Sequence, residues 1–130
     1  MKMLLRSKRA LRLPAAFGAG SALLAVMAGR LLRRVEVEGD SMRPTLLAGD
    51  RLLVVRRRRA RPGALVVVAD PRLRTRLLVK RVMTAHDGRL TVAGDNPASS
   101  TDSRVFGFVH EVHGRPVYRY HPRRRAGRIG

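Results

Sequence analysis

The pattern of apolar and polar positions divides the chain near residue 35. Before it, "LPAAFGAGSALLAVMAG", Leu13 to Gly29, runs without a charged residue. After it the apolar positions come in short runs broken by turn-forming residues. "VEVEG" alternates apolar and charged positions, the period of a half-buried strand. "DRLLVV" and "ALVVVAD" are too short for helices, rich in β-branched residues and bounded by Gly, Pro and Asp. "RLLVKRVMTA" and "GRLTVAGD" meet at "HDG", whose Asp-Gly pair is a hairpin signal. "GRPVYRY" is the last predicted strand before the basic tail "HPRRRAGRIG". The pattern predicts a mainly β fold, a small antiparallel β-sheet or partly open barrel, behind one N-terminal transmembrane helix. The expected division is a basic N-terminus and anchor over residues 1–34, a β domain over 35–121 and a tail over 122–130.

Seventeen helical residues span roughly 25 Å, slightly short of a ~30 Å hydrocarbon core. Leu31 and Leu32 extend the apolar stretch, and Arg30, Arg33 and Arg34 close it with side chains long enough to reach the interface. The same features (charged start, apolar middle, small residues) describe a cleavable signal peptide, so retention and removal both stay open. Heavier positive charge before the segment than after it argues for an N-in, C-out orientation, with the β domain outside the cytoplasmic membrane.

Charge changes the picture of partners. Lys and Arg number 28 against 9 acids, a net charge of +19, which attracts polyanions and anionic lipid surfaces. Aromatic residues make up only 4% and Trp is absent, so the stacking platform of a single-strand binder is missing and no nucleic acid partner is expected. The lipid membrane is the expected surface. With no cysteine, disulfides and thiolate metal sites are excluded. His86, His110, His113 and His121 are dispersed without a zinc-type spacing, and no metal or cofactor is expected.

The candidate chemistry lies in three polar blocks. In "EGDSMRPTLLAGDRLLV", Ser41 opens the β-rich region; alone it reads as a turn serine, because a hydroxyl needs a base to become a nucleophile. No histidine stands in a triad context. Lys80 in "LLVKRVM" is the only lysine after the apolar segment, among basic positions that are otherwise arginine. Arginine does not deprotonate in practice, whereas a desolvated lysine does. Strand alternation puts Lys80 on one face with Leu78 and Val82, with Met83 just beyond. Lowering its pKa from ~10.4 to roughly 8 would leave about a tenth neutral at pH 7 and cost on the order of 3 kcal/mol, within reach of burial. The third block, "GDNPASSTDSRVFG" from Gly94 to Gly107, reads either as a surface loop of turn formers or as a brace that orients the amine.

Taken in order, "GDSMRPTL", "VKRV" and "GDNPASSTDSRVFG" resemble the motif boxes of the signal peptidase I family of Ser-Lys proteases, over roughly Val35 to Tyr120. The resemblance implies Ser41 as nucleophile and Lys80 as general base, with the Ser41 N–H as an oxyanion donor. It implies a hydroxyl on the lysine at Ser100, structural ion-pair positions at Asp102, Arg104 and Arg81, and supporting positions at Asp95 and Asn96. Met42 and Pro44 match positions beside the substrate, whose residue before the scissile bond is expected to be small. Some relatives carry a serine two positions before the nucleophile as a second oxyanion donor; Gly39 stands there in this chain.

Family members commonly carry a larger β insertion after the lysine, whereas thirteen residues separate Lys80 from Gly94. That compact form is similar to the proteases that mature nickel-type superoxide dismutase by propeptide removal. The apolar segment favours a leader peptidase acting on exported precursors, with the dismutase task, carried out in the cytoplasm, as the alternative. A non-catalytic, membrane-attached anion-binding module is the alternative of another class. A self-cleaving repressor-type Ser-Lys protein is disfavoured, because no helix-turn-helix pattern precedes the β region.

Overall fold

The computed structural model describes Gly29, residues 31–57 and residues 59–129. The expected anchor over residues 13–29 therefore lies outside the described residues except for its last position. Among the described residues no helix is long and apolar enough to cross a membrane.

Among the described residues seven strands form an antiparallel open sheet: β1 (Leu32–Glu36), β2 (Arg51–Val55), β3 (Leu65–Asp70), β4 (Leu73–His86), β5 (Arg89–Ala93), β6 (Val112–His121) and β7 (Gly127–Arg128). The spatial order is β1-β2-β6-β3-β4-β5, with β7 added to β6. A four-residue helix, α1 (Ser103–Phe106), interrupts the return from β5 to β6. Strands β2, β3 and β5 fall where alternation and turn residues put them, whereas β4 begins at Leu73, ahead of "RLLVKRVMTA". β1 differs: it runs over Leu32–Glu36, earlier than "VEVEG", because its ladder pairs Leu32 with Val55 and Glu36 with Arg51.

β6 joins two halves of the sheet. Its first residues pair with β3, Gly114 opposite Val67, and its later residues pair with β2, Tyr118 opposite Leu53. Gly114 sits where the strands crowd, since a Cβ there would meet the Val55 carbonyl at 2.7 Å. β3 lies between β6 and β4 and is buried at every position, which explains its unbroken Val run. Leu65, Val67 and Ala69 enter one core with Val35, Met42, Leu46, Leu52 and Val79. Val66 and Val68 enter a second with Leu78, Val82, Leu90, Val92 and Val109. A sheet buried on both faces at its centre can hold a polar side chain away from water at a strand position.

The residues after His121 turn back onto the sheet. A 3-10 turn at Arg123–Arg125 leads into β7, and Ile129 packs against the first core. Asp50 is buried (1% exposed) and accepts hydrogen bonds from Arg119 at 3.1 Å and Arg125 at 3.0 Å.

Candidate active site

Ser41 lies in the turn segment between β1 and β2. That segment is closed at its base by Val37 N–H donating to the Asp50 carbonyl and Gly49 N–H donating to the Val37 carbonyl, both at 2.8 Å. Gly39 adopts φ 75°, the left-handed region that glycine enters without penalty, so the turn itself accounts for glycine at this position. A one-turn bond from Leu46 N–H to the Met42 carbonyl (2.9 Å) directs Met42 and Leu46 into the first core. Ser41 itself is buried at 9% exposure.

Lys80 sits in the middle of β4, opposite Val66 of β3, and only 2% of it is exposed. Its alternation partners Leu78 and Val82 are buried in the second core. Met83 breaks from this environment: a register shift between Val82 and Thr84 turns it outward to 55% exposure. Burial drives the Lys80 pKa down to about 8, with Arg104 and Arg72 adding repulsion and Asp102 and Asp70 opposing it. The amine donates to Ser100 Oγ at 3.1 Å.

Ser100 is fixed from three sides. Its hydroxyl donates to Asp102 Oδ2 at 2.8 Å and accepts from Gly94 N–H at 3.1 Å as well as from Lys80. A serine hydroxyl has one proton. With that proton on the Asp102 carboxylate, Ser100 can only accept from Lys80, so the lone pair of a neutral amine is left for another partner. Burial pushes the Asp102 carboxyl up, but hydrogen bonds from Arg104, Ser100 and the N–H groups of Gly94 and Arg104 more than offset it and hold the group well below the usual carboxylate range. Asp102 also caps α1 by accepting from Arg104 N–H at 3.2 Å. Ser103 Oγ accepts from Val92 N–H at 2.8 Å and ties α1 to β5.

The Ser41 turn and this block are bound directly. Asn96 N–H donates to the Ser41 carbonyl at 2.9 Å, and the Asn96 side chain donates to the Asp40 carbonyl at 3.1 Å. Arg81 grips Asp95 with two bonds of 2.8 Å, and Thr45 donates to the same carboxylate. The Arg81 hydrogen bonds, with that of Thr45, keep Asp95 below its ordinary pKa against the effect of burial. The ion-pair positions therefore separate into two pairs, Asp102 with Arg104 and Asp95 with Arg81. Gly94 is at the crossing point: a Cβ there would meet the Ser100 side chain and would lie 2.5 Å from the Ser41 carbonyl oxygen.

Ser41 and Lys80 border one cleft, with Val37, Leu78 and Val79 as its apolar wall and Glu38, Thr101 and Arg72 at its polar side. Met42 and Pro44 do not line it. Met42 is 2% exposed within the first core and Pro44 faces solvent, because the Met42–Leu46 turn spends the apolar side chain on packing. Val37, Glu38 and Arg72 were not singled out from the sequence; Arg72, in the short link between two strand runs, carries no motif signal. Among the described residues no group of three or more His, Asp or Glu side chains is placed to hold a metal ion.

The antiparallel sheet thus buries a lysine at strand centre and brings it to one cleft with a turn serine. The Peptidase S24-like family model matches residues 21–113, which include every site residue above, and the chain belongs to this family of serine peptidases. The match agrees with the resemblance read from the three motif blocks and divides the family no further. No curated protein matches the chain.

Proposed function

We propose that the protein is an endopeptidase that removes N-terminal leaders from precursor proteins, with Ser41 as nucleophile and Lys80 as general base. The observation that carries this reading is a lysine buried to 2% exposure, with its pKa driven down to about 8, on the same cleft as Ser41. Neutral Lys80 takes the Ser41 proton as Oγ attacks the peptide carbonyl. The resulting ammonium returns the proton to the leaving amine as the C–N bond breaks, and water then hydrolyses the acyl-enzyme ester with Lys80 again as base. The Ser41 N–H is the oxyanion donor in this scheme. Val37, Leu78 and Val79 suit a small apolar residue before the scissile bond. Residues 13–29 would hold the enzyme at the cytoplasmic membrane with this cleft outside.

A second reading rests on the short β4–β5 hairpin, which turns at Asp87 (φ 47°) and Gly88 (φ 73°) with no insertion. That compactness favours propeptide removal from nickel-type superoxide dismutase, in the cytoplasm. The test is incubation of wild type and Ser41→Ala in detergent with a secretory preprotein and with a nickel superoxide dismutase precursor, the new N-termini being sequenced. Cleavage of the preprotein alone supports the first reading and of the dismutase precursor alone the second. Folded wild type that cuts neither, or Ser41→Ala that cuts as wild type does, removes the peptidase assignment and leaves the anion-binding module.

A further inference from the structure

We infer that Arg72 is a substrate-binding residue that gives this cleft a preference for an acidic side chain close to the scissile bond. The inference rests on the peptidase reading above and names a specificity for the same site.

Arg72 is held in one orientation. Its Nε donates to Asp70 Oδ1 at 3.0 Å and its Nη2 to Asp70 Oδ2 at 2.9 Å, while its own backbone N–H donates to Oδ1 at 2.9 Å. Asp70 is the last residue of β3 and is fully buried, so the clamp is anchored in the most enclosed strand of the sheet. The guanidinium lies over the Phe106 ring, 5.6 Å from its centroid. With one edge on Asp70 and one face on Phe106, what remains is the edge made by Nη1 and the outer hydrogen of Nη2. Nη1 has no hydrogen-bond partner among the described residues. Two parallel N–H groups on that edge match the two oxygens of a carboxylate.

The charge is available as well as the geometry. Asp70 is shared, since Arg76 approaches its Oδ2 at 3.7 Å. One carboxylate between two guanidinium groups leaves a net positive charge, and Arg72 is the member that borders the cleft with Ser41 and Lys80. Its side chain is 45% exposed, against 25% for Arg76. Glu38 borders the same cleft but forms no ion pair with Arg72 among the described residues. Lys80 works as a base only when neutral, so Arg72 is the permanent cation of the cleft. A precursor carrying Asp or Glu within a few residues of the cut would meet a preoriented fork, whose ordering Asp70 and Phe106 have already met.

The test uses the full chain in detergent and a set of fluorogenic peptides with a small residue before the scissile bond. The peptides differ only by Glu or Gln at each flanking position in turn. Wild type is expected to cleave one Glu peptide about tenfold faster in kcat/KM than its Gln twin, mainly through KM. Arg72→Gln should bring that ratio to about one, and Arg72→Glu should invert it. Arg57→Gln, which removes the same charge at an exposed position outside the cleft, should leave the ratio as in wild type. Wild type that cleaves all peptides with no Glu preference overturns the inference without touching the peptidase reading, and this outcome depends on no variant folding. A preference that survives Arg72→Gln, or that Arg57→Gln also abolishes, overturns it too. Folded wild type that cleaves none of the peptides removes the peptidase reading and the inference with it.

Discussion

Lys80 Nζ donates to Ser100 Oγ at 3.1 Å, and the Ser100 hydroxyl in turn donates a hydrogen bond to Asp102 Oδ2 at 2.8 Å. This one-way chain sets the lysine amine by its hydrogens and keeps its lone pair free of the serine. Replacing Ser100 by Ala removes that tether but leaves Gly94 N–H on Asp102 Oδ2 at 3.1 Å. Steady-state kinetics of Ser100→Ala should show kcat reduced about a hundredfold with KM little changed, as expected for a base displaced by about an ångström. A kcat equal to wild type would show that the tether is idle.

The Lys80 pKa of about 8 predicts the pH profile of cleavage. In the proposed mechanism the neutral amine is the working form, so kcat/KM should climb about tenfold per pH unit below 8 and level off above it. A flat profile between pH 6 and 9 would exclude Lys80 as the base.

The same shift has a stability consequence with a definite sign. Folding lowers the Lys80 pKa from 10.5 to about 8, so the unfolded chain binds more protons between these values. The stability Lys80 allows is full above 10.5, falls as pH drops through this window and is constant below about 8. The buried amine then costs on the order of 3 kcal/mol at pH 7. Lys80→Met should abolish cleavage yet melt higher than wild type at pH 7, with the advantage shrinking towards pH 10. Thermal melts at both pH values check this, and a lower melting point for the variant at pH 7 would contradict it.

Gly94 has no room for a side chain. Gly94→Ala should displace Ser100 and the Ser41 carbonyl together, costing about 1–3 kcal/mol by chemical denaturation and most of the activity. Activity unchanged in Gly94→Ala would mean that the turn and the block are not held in fixed relation.

Asp50 anchors the far side of the turn that carries Ser41. It accepts from Leu47 N–H at 2.9 Å, and Arg119 also donates to the Thr45 carbonyl at 3.0 Å. Asp50→Asn leaves Arg119, whose side chain is only 14% exposed, without its counter-charge and should destabilise by about 3–5 kcal/mol. Arg125→Ala leaves the Asp50–Arg119 pair intact and should lose less, about 1 kcal/mol. Equal losses from urea unfolding of the two variants would rule out this ranking.

Much of the fold could be read along the chain because alternation and turn residues are local. The Val run of β3, the Asp87–Gly88 hairpin and the apolar surroundings of Lys80 are properties of neighbouring positions. Other features have no local mark. α1 sits inside a block whose composition reads as loop, since its cap, Asp102, gains meaning only with Gly94, Ser100 and Arg104 around it. β7 is two residues long and exists through its pairing with Tyr118 and Arg119. Met42 sits beside the serine in sequence but belongs to the core in space. Asp50 reads as an ordinary turn acid before β2, and the arginines that bury it lie 69 and 75 positions away.

By itself the amino-acid sequence determined the β class and the types of group available: one hydroxyl turn, one lysine among arginines and one Asp-Arg block. These depend on side-chain chemistry and short-range periodicity, which the linear order carries. The tertiary structure alone decided which carboxylate meets which arginine, that Lys80 is desolvated, and that Arg72 shares the cleft with Ser41. Desolvation and pairing depend on what other strands bring within a few ångströms, and no position encodes that about itself.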